Sequence, residues 1–405
     1  MRPRSGDPVA EGPPFGCSPA YRGAIYYLFY WGALAIYGPF LYVHFVHLGL
    51  SAFHVGLLGA LVPLARLVVA PFTAALADRQ RRQRTVLSVA LVGVAVALFL
   101  LRWPRRFGLI LPLAVLLSLG HSISVPIADA LAARMAVRYR IDYGKLRVWG
   151  SFGFAVISLA AGAWWAQAGY EMMFFVGALG FLPALLAVQG LETASPTSDQ
   201  HRPPLRLLTR DTALMTLLVA NFLVGAGEGL YVTFSGVYMD ALGGSGLLVG
   251  GLFGLSAIAE LPTMHFSGGV ARRLGKPNTL LLSYLILAVA FFGYAAATTP
   301  LFLLFCAMLK GVGFGLYFAM TVSLGDERAP AAWAATVQSL LMALGWGLAP
   351  LITIPLAGWL SDAFGLAPIF AMAGVLELLA LVVLGWAVVS HKFTVAPLLA
   401  STDDL

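Results

Sequence analysis

Asp129 and Arg147, an acid and a base, stand inside apolar sequence on either side of one short basic turn. The stretch that holds them reads VPIADALAARMAVRYRIDYGKLRVWGSFGF, from Val125 to Phe154. Arg134, Arg138, Arg140 and Lys145 mark the turn, and Arg147 opens the next apolar run ahead of Trp149-Gly150-Ser151. A charge at the centre of a hydrocarbon layer costs roughly 2.5–3.5 kcal/mol on insertion scales, so such residues are seldom kept without a role. Arg147 can grip anionic or hydroxyl groups, and Asp129 can accept their hydrogen bonds or pair with Arg147.

Five further polar residues interrupt apolar runs. Arg66 lies too far from either end of its run to snorkel to a surface, so it either clamps an anionic group or sits in a fixed internal ion pair. Glu260 is a carboxylate whose charged form burial disfavours, which suits a proton carrier; its other reading is a standing counter-ion for Arg147 or Lys310. Glu228, in Gly225-Ala-Gly-Glu228-Gly229, is a rival proton site, and its glycines allow close backbone approach. Lys310 can pair with Glu228 or Glu260, and His121 can relay protons or simply be hydrogen-bonded. Tyr37 and Tyr231, with Phe40 and Phe234, could stack a flat solute or pack the core.

The chain that positions them is built for lipid. Of its 405 residues 60% are hydrophobic and 11% charged, against about 25% charged in a soluble domain, which excludes a water-soluble fold of this length. The formal charge of +7 does not point to nucleic acid, because the basic residues sit in short loops between apolar runs. Cys17 and Cys306 make neither a disulfide framework nor a metal site. No nucleophile–base pair at useful spacing, phosphate-binding loop or metal motif argues for an enzyme.

Apolar runs recur at 21–47, 52–77, 85–102, 107–134, 146–166, 171–190, 211–240, 246–268, 278–298, 300–325, 331–360 and 365–390, which predicts an all-α membrane protein of twelve spans. A Pro- and Gly-rich tail, 1–20, precedes a six-helix bundle over 21–190. A polar linker, 191–210, leads to a second bundle over 211–390, and 391–405 forms a tail. Arg and Lys gather in the loops of one side, including Arg79, Arg82, Arg138, Arg206 and Arg273, which puts both termini in the cytoplasm of a cell-membrane protein. Arg102, Arg105 and Arg106 stand against that pattern.

The halves look like copies. At the single gapless offset that carries Tyr37 onto Tyr231, Phe40 falls on Phe234, Leu48-Gly49 on Leu242-Gly243, Val55-Gly56 on Val249-Gly250, Arg66 on Glu260 and Arg79 on Arg273. Gly162 and Gly169 recur as Gly358 and Gly365 with the register slipped by two. Parallel six-helix repeats about an axis along the membrane normal are one of the known transporter architectures.

The loop Ala74-Ala-Leu-Ala-Asp78-Arg79-Gln-Arg-Arg82 resembles the Gly-x-x-x-Asp-Arg-x-Gly-Arg signature of the major facilitator family, with Ala74 and Arg81 in place of its glycines. By that resemblance Asp78, Arg79 and Arg82 form a conformational latch, whereas the second-half loop has Arg272 where the acid belongs. Val125-Pro126, Asp129-Ala130-Leu131, Asp142-Tyr143-Gly144-Lys145, Arg147, Trp149-Gly150-Ser151, Arg66 and Ala259-Glu260 are similar to the bacterial 3-phenylpropionate transporters and, at greater distance, to lactose permease. In the latter, the acid and arginine at the Asp129 and Arg147 positions bind sugar hydroxyls, and its stacking Trp falls at Phe154. Its coupling His falls at Lys310, the Glu one turn later at Gly313, and its helix-7 Asp at Glu228. The Lys that pairs with that Asp falls at Trp346, so the proton path does not transfer intact.

The resemblance implies two six-helix bundles that alternate access to a central site, and a monomer in the lipid bilayer. It further implies symport of a small organic solute, an aromatic or other organic acid or a sugar-like molecule, with protons as the coupling ion and no other cofactor. Proton-antiport efflux of drugs or sugars is the alternative within transport. A non-transporting receptor or lipid scramblase on the same scaffold is the alternative from another class.

Overall fold

The computed structural model describes residues 19–79, 82–141, 143–192, 210–329 and 333–393. The tail over 1–18, most of the 191–210 linker and the end of the chain from 394 lie outside the described residues. Twelve apolar segments follow in order among those described: α1 (Pro19–His47), α2 (Ala52–Arg79, in three pieces), α3 (Gln83–Leu101), α4 (Phe107–Tyr139), α5 (Tyr143–Ala168), α6 (Met173–Val188), α7 (Thr212–Ala241), α8 (Gly246–Leu274), α9 (Lys276–Ala295), α10 (Pro300–Arg328), α11 (Ala334–Phe364) and α12 (Ala367–Val389). Ten are long and apolar enough to cross a membrane as single helices or continuous runs, and Ala52–Val68 and Met173–Val188 are shorter apolar helices.

Local chemistry sets the breaks. Between α1 and α2 the chain turns at Gly49 (φ 87°), and between α7 and α8 at Gly243 (φ 84°), a left-handed conformation that side chains resist. These two glycines coincide under the sequence offset, so the repeated Leu-Gly is a repeated turn. Ser51 then caps α2 by accepting from the His54 N–H, and Asp211 caps α7 by accepting from Ala213 and Leu214. Helix α2 divides into Ala52–Gly59, Leu61–Val68 and Ala70–Arg79. Pro63 and Pro71 explain the breaks, since each lacks an N–H and crowds the carbonyl four residues earlier. In α11 a π turn, Leu344–Leu348, separates Ala334–Ala343 from Ala349–Phe364 just ahead of Pro350.

Packing follows the repeat. In the first bundle α1 lies on α5 and α6, and α3 on α4 and α6; in the second α7 lies on α11 and α12, and α9 on α10 and α12. The bundles meet along α5 with α8 and α2 with α11, pairs related by the same two-fold axis, and along α1 with α7. Exposed Val89, Leu109, Leu186, Leu301 and Val382 give the flanks an apolar surface suited to lipid. Arg105, in the basic loop that the charge pattern left unexplained, pairs with Glu171 at 3.2 Å.

The bundles meet backbone to backbone at the end where α1 finishes and α2 begins, the distal end. A Cβ on Gly162 would lie 2.6 Å from the Gly246 carbonyl oxygen, and one on Gly358 would lie 2.5 Å from that of Ala52. Gly246 and Ala52 are themselves equivalent under the offset, so one contact is the copy of the other. Asp362 of α11 accepts the free N–H groups of Ala52 and Phe53 at the start of α2, at 2.8 and 3.0 Å. His47 of α1 meets Asp240 of α7 at 2.8 Å. The distal end is therefore closed.

Candidate functional site

Helix α1 presents Tyr27, Tyr30 and Trp31 at the three- and four-residue spacing that shares one face. The Tyr27 hydroxyl donates to Asp129 Oδ1 of α4 at 2.6 Å and lies 3.2 Å from the Tyr143 hydroxyl of α5. Arg147 of α5 sits over the rings of Trp31, at 4.4 Å, and Tyr27, at 5.5 Å, close enough for cation–π attraction. Trp31 in turn meets Phe154 edge-on, with ring centres 6.4 Å apart. Asp129 and Arg147 thus share Tyr27 without forming an ion pair. Both are half-buried, so each keeps hydrogen-bonding capacity for another molecule.

Arg66 reaches from α2 into the other bundle. Its Nη1 donates to the Trp346 carbonyl, in the π turn of α11, at 3.2 Å. That carbonyl has no ordinary α-helical donor, because the residue four positions on is Pro350. The sequence alternatives were a substrate anion or an acidic partner; the structure assigns a backbone oxygen, leaving the other guanidinium hydrogens for a ligand.

His121 is held in the first bundle. Its Nδ1 meets the Tyr30 hydroxyl at 2.9 Å and its Nε2 meets the Tyr37 hydroxyl. Tyr37 is 1% exposed and packs on Phe181 and His121, inside the bundle and away from any position for stacking a solute.

In the second bundle Lys310 of α10 pairs with Glu228 of α7 at 2.6 Å, and its ammonium lies 4.3 Å from the centre of Tyr231 and 4.2 Å from that of Phe314. Tyr231, 3% exposed, serves as the floor of this ion pair. Glycines let the helices close around it: a Cβ on Gly225 would lie 2.1 Å from the Gly345 carbonyl oxygen in the π turn. The cation that the lactose-permease pattern places on helix 11, where this chain has Trp346, comes from α10 instead. Asn221, one side of this core, accepts from the Tyr317 hydroxyl at 2.7 Å and donates to the Leu341 carbonyl at 2.8 Å.

Glu260 of α8 is half-buried and makes no ion pair among the described residues. Lys310 and Arg147 act on it electrostatically from the two bundles, which places it between the two halves of the site. Of the expected latch, the side chains of Asp78 and Arg79 lie outside the described residues, and Arg82 is exposed ahead of α3.

Sequence reasoning passed over Tyr27, Trp31, Asp362 and Glu377. The aromatic run Tyr26-Tyr27-Leu-Phe-Tyr30-Trp31 was the signal for the first two. Glu377 was as visible as Glu260, a lone acid in the most apolar span.

Two six-helix bundles around buried, unlike charges, closed at one end, define a membrane transporter of the alternating-access kind. Residues 21–393 match the MFS_1 like family, and the chain belongs to that major facilitator family. It is 27% identical to the maltose permease of Geobacillus stearothermophilus over 383 residues, 92% of this chain and 96% of that protein. It is 28% identical to a probable 3-phenylpropionic acid transporter of Escherichia coli over 290 residues, 69% of this chain and 74% of that protein. Its fold is similar to the crystal structure of a mutant nucleoside transporter, NupG, with a TM-score of 0.79 at 13% identity over 91% of this chain and 99% of that one.

Proposed function

We propose that this protein is a proton-coupled symporter in the cell membrane that imports a small, ring-bearing, polyhydroxylated solute. Both termini lie in the cytoplasm, on the side of the Arg- and Lys-rich loops, so the closed distal end faces outward. The observation that carries the substrate class is Tyr27 standing between Asp129 and Arg147. A carboxylate and a guanidinium are offered together beside Trp31 and Phe154, and a sugar ring satisfies all three: hydroxyls donate to Asp129, accept from Arg147, and the ring lies against the aromatic edge. An aromatic acid suits Arg147 but brings its own carboxylate towards Asp129. The nearly full-length likeness to a maltose permease supports the same class.

Glu260 takes up the proton in this reading, because Glu228 is already engaged by Lys310. Coupling arises when solute and proton together favour closure more than either alone. The test is counterflow and gradient-driven uptake in proteoliposomes preloaded in turn with maltose, glucose, 3-phenylpropionate and a nucleoside. Maltose or glucose counterflow, with accumulation when the outside is acid, supports the proposal. Exchange confined to 3-phenylpropionate moves the site to Arg66 and Arg147 as anion clamps, and extrusion driven by the same gradient replaces symport with antiport.

A further inference from the structure

Glu377 stands in the middle of α12 with no exposure to solvent, and neither of its carboxyl oxygens has a hydrogen-bond partner among the described residues. It points at α7: a Cβ added to Gly227 would lie 3.2 Å from Glu377 Oε1, with Phe291 and Ala373 making up the rest of the wall there. The residue beside Gly227 is Glu228, whose carboxylate holds Lys310. The titratable groups that act on Glu377, or on which it acts, are Glu228 of α7, Tyr284 of α9, and Lys310 and Tyr317 of α10. Helix α11 contributes none near it, since its one acid, Asp362, caps α2 at the distal end. Two carboxyls, on Glu377 and on the neighbour of Gly227, and the ammonium that pairs with Glu228 are therefore gathered around one stretch of α7 that is buried from solvent.

An ionised carboxylate without hydrogen bonds in such surroundings is not a stable species; the group neutralises by binding a proton. Charge neutrality around one lysine then requires one ionised acid and one protonated acid. Neither acid has a hydrogen-bond partner for its oxygens among the described residues apart from Lys310, and the ammonium 2.6 Å from Glu228 Oε2 makes Glu228 the ionised one. Resting on the symport reading for its role in transport, but not for its chemistry, we propose that Glu228, Glu377 and Lys310 form a single site of two carboxyls and one ammonium that holds one proton, carried by Glu377 in this state. When Lys310 shifts from Glu228 to Glu377, the proton passes from the Glu377 carboxyl to the Glu228 carboxylate. One O–H bond breaks, one forms, and the net charge is unchanged. The store lies in the bundle core behind Glu260, so α12, which the resemblance leaves without a role, becomes part of the proton machinery.

Infrared difference spectroscopy of the protein in lipid at neutral pH reads protonated carboxyls directly through their C=O stretch. Wild type minus Glu377→Gln should show the loss of one protonated-carboxyl band, with no loss of an ionised carboxylate. Lys310→Met removes the one cation that acts on both acids among the described residues, so both become neutral and one additional protonated-carboxyl band appears; in Glu377→Gln with Lys310→Met the count returns to that of wild type. A Glu377→Gln spectrum that lacks an ionised carboxylate instead, or a Lys310→Met spectrum with no added band, overturns the proposal. If Glu377→Gln does not fold, Glu377→Asp is read instead: it keeps a carboxyl at the position but should move the frequency of one protonated-carboxyl band, and a spectrum in which only an ionised-carboxylate band moves overturns the proposal. Proton-driven uptake by wild-type vesicles is measured alongside: its absence with the bands as expected defeats symport and leaves the two-carboxyl site standing.

Discussion

Arg66 donates to the carbonyl of Trp346 at 3.2 Å, across the boundary between the two bundles, and the carbonyl is open to it because Pro350 withholds the usual helical N–H. An intramembrane arginine would otherwise need a carboxylate. Here a proline in the partner helix creates the acceptor, and the π turn of Leu344–Leu348 places it. The contact ties α2 to α11 at the depth of the site, so a ligand that competes for the guanidinium also loosens the bundles from each other.

Pro350→Ala restores the N–H and sets it against Arg66 for the same oxygen. The expected outcome is a more regular α11 and a weaker bundle contact, with Arg66→Gln producing the second effect without the first. A hydrogen bond from a charged donor contributes about 1.5–3 kcal/mol. Hydrogen exchange of the α11 amides checks this: faster exchange around Trp346 in Arg66→Gln but slower exchange in Pro350→Ala is the expected pattern, and identical profiles would remove the proline from the explanation.

Glu228 and Lys310 are 1% and 6% exposed as side chains, so removing one member leaves a charge in an enclosed site. Breaking such a pair costs about 3–5 kcal/mol where the remaining charge persists, and less where it neutralises. Glu228→Gln and Lys310→Met should each lower the melting temperature in detergent by less than that full cost, since Glu377 can release its proton and take the ammonium in the first and the remaining carboxyls bind protons in the second. The double variant should recover most of the loss. Equal losses in all three would mean that the pair contributes packing and not charge.

Much of this arrangement was legible in the chain itself. The Leu-Gly at Gly49 and Gly243 was visible as part of the internal repeat, and both glycines stand at turns with positive φ. The twelve spans agree within a few residues, apart from the break in α2, where Pro63 and Pro71 were present to be read but hydropathy alone runs straight through them. Partners were harder. Which of Glu228 and Glu260 meets Lys310 depends on helix rotation, which a spacing within one helix does not determine. The placing of Tyr27 between Asp129 and Arg147 requires α1 to lie against α4 and α5 together, a fact of packing that no local motif carries.

Tyr27→Phe removes the hydroxyl that holds Asp129 and keeps the ring under Arg147. The loss of one hydrogen bond to a charged acceptor, about 1.5–3 kcal/mol, corresponds to roughly a 10- to 100-fold weaker solute affinity if Asp129 must be oriented to bind. Trp31→Leu tests the other contact by removing the aromatic face beneath Arg147. Ligand-dependent thermal shift with maltose reads both. Affinity that is unchanged in Tyr27→Phe would place the solute away from Asp129.

Glu260→Gln separates coupling from binding. Its carboxyl makes no ion pair among the described residues, so the neutral amide should leave the fold intact. Proton-driven uptake should disappear while equilibrium exchange continues, because exchange needs no net protonation. Loss of both in protein that folds normally would make Glu260 a ligand of the solute.

The distal closure can be tested by adding a side chain where the bundles touch. Gly358→Val places a branched Cβ at a position where even a methyl carbon lies 2.5 Å from the Ala52 carbonyl and 3.0 Å from the Phe53 Cα, both of them backbone atoms that cannot yield cheaply. Gly162→Val does the same on the symmetric contact with Gly246. Either variant should hold the distal end apart, and Asp362→Asn should favour the same state more weakly by removing the charge from the α2 N-terminus. A cysteine placed at Ala52 reports the change through its rate of alkylation by a membrane-impermeant maleimide. The rate should rise in order from wild type to Asp362→Asn to the two valine variants, and counterflow should fall in the same order, because a transporter that cannot close one end cannot complete its cycle. Fast transport in Gly358→Val with the cysteine still protected would mean that the helices slide past the added group, and that the close glycine contact is not what seals the distal end.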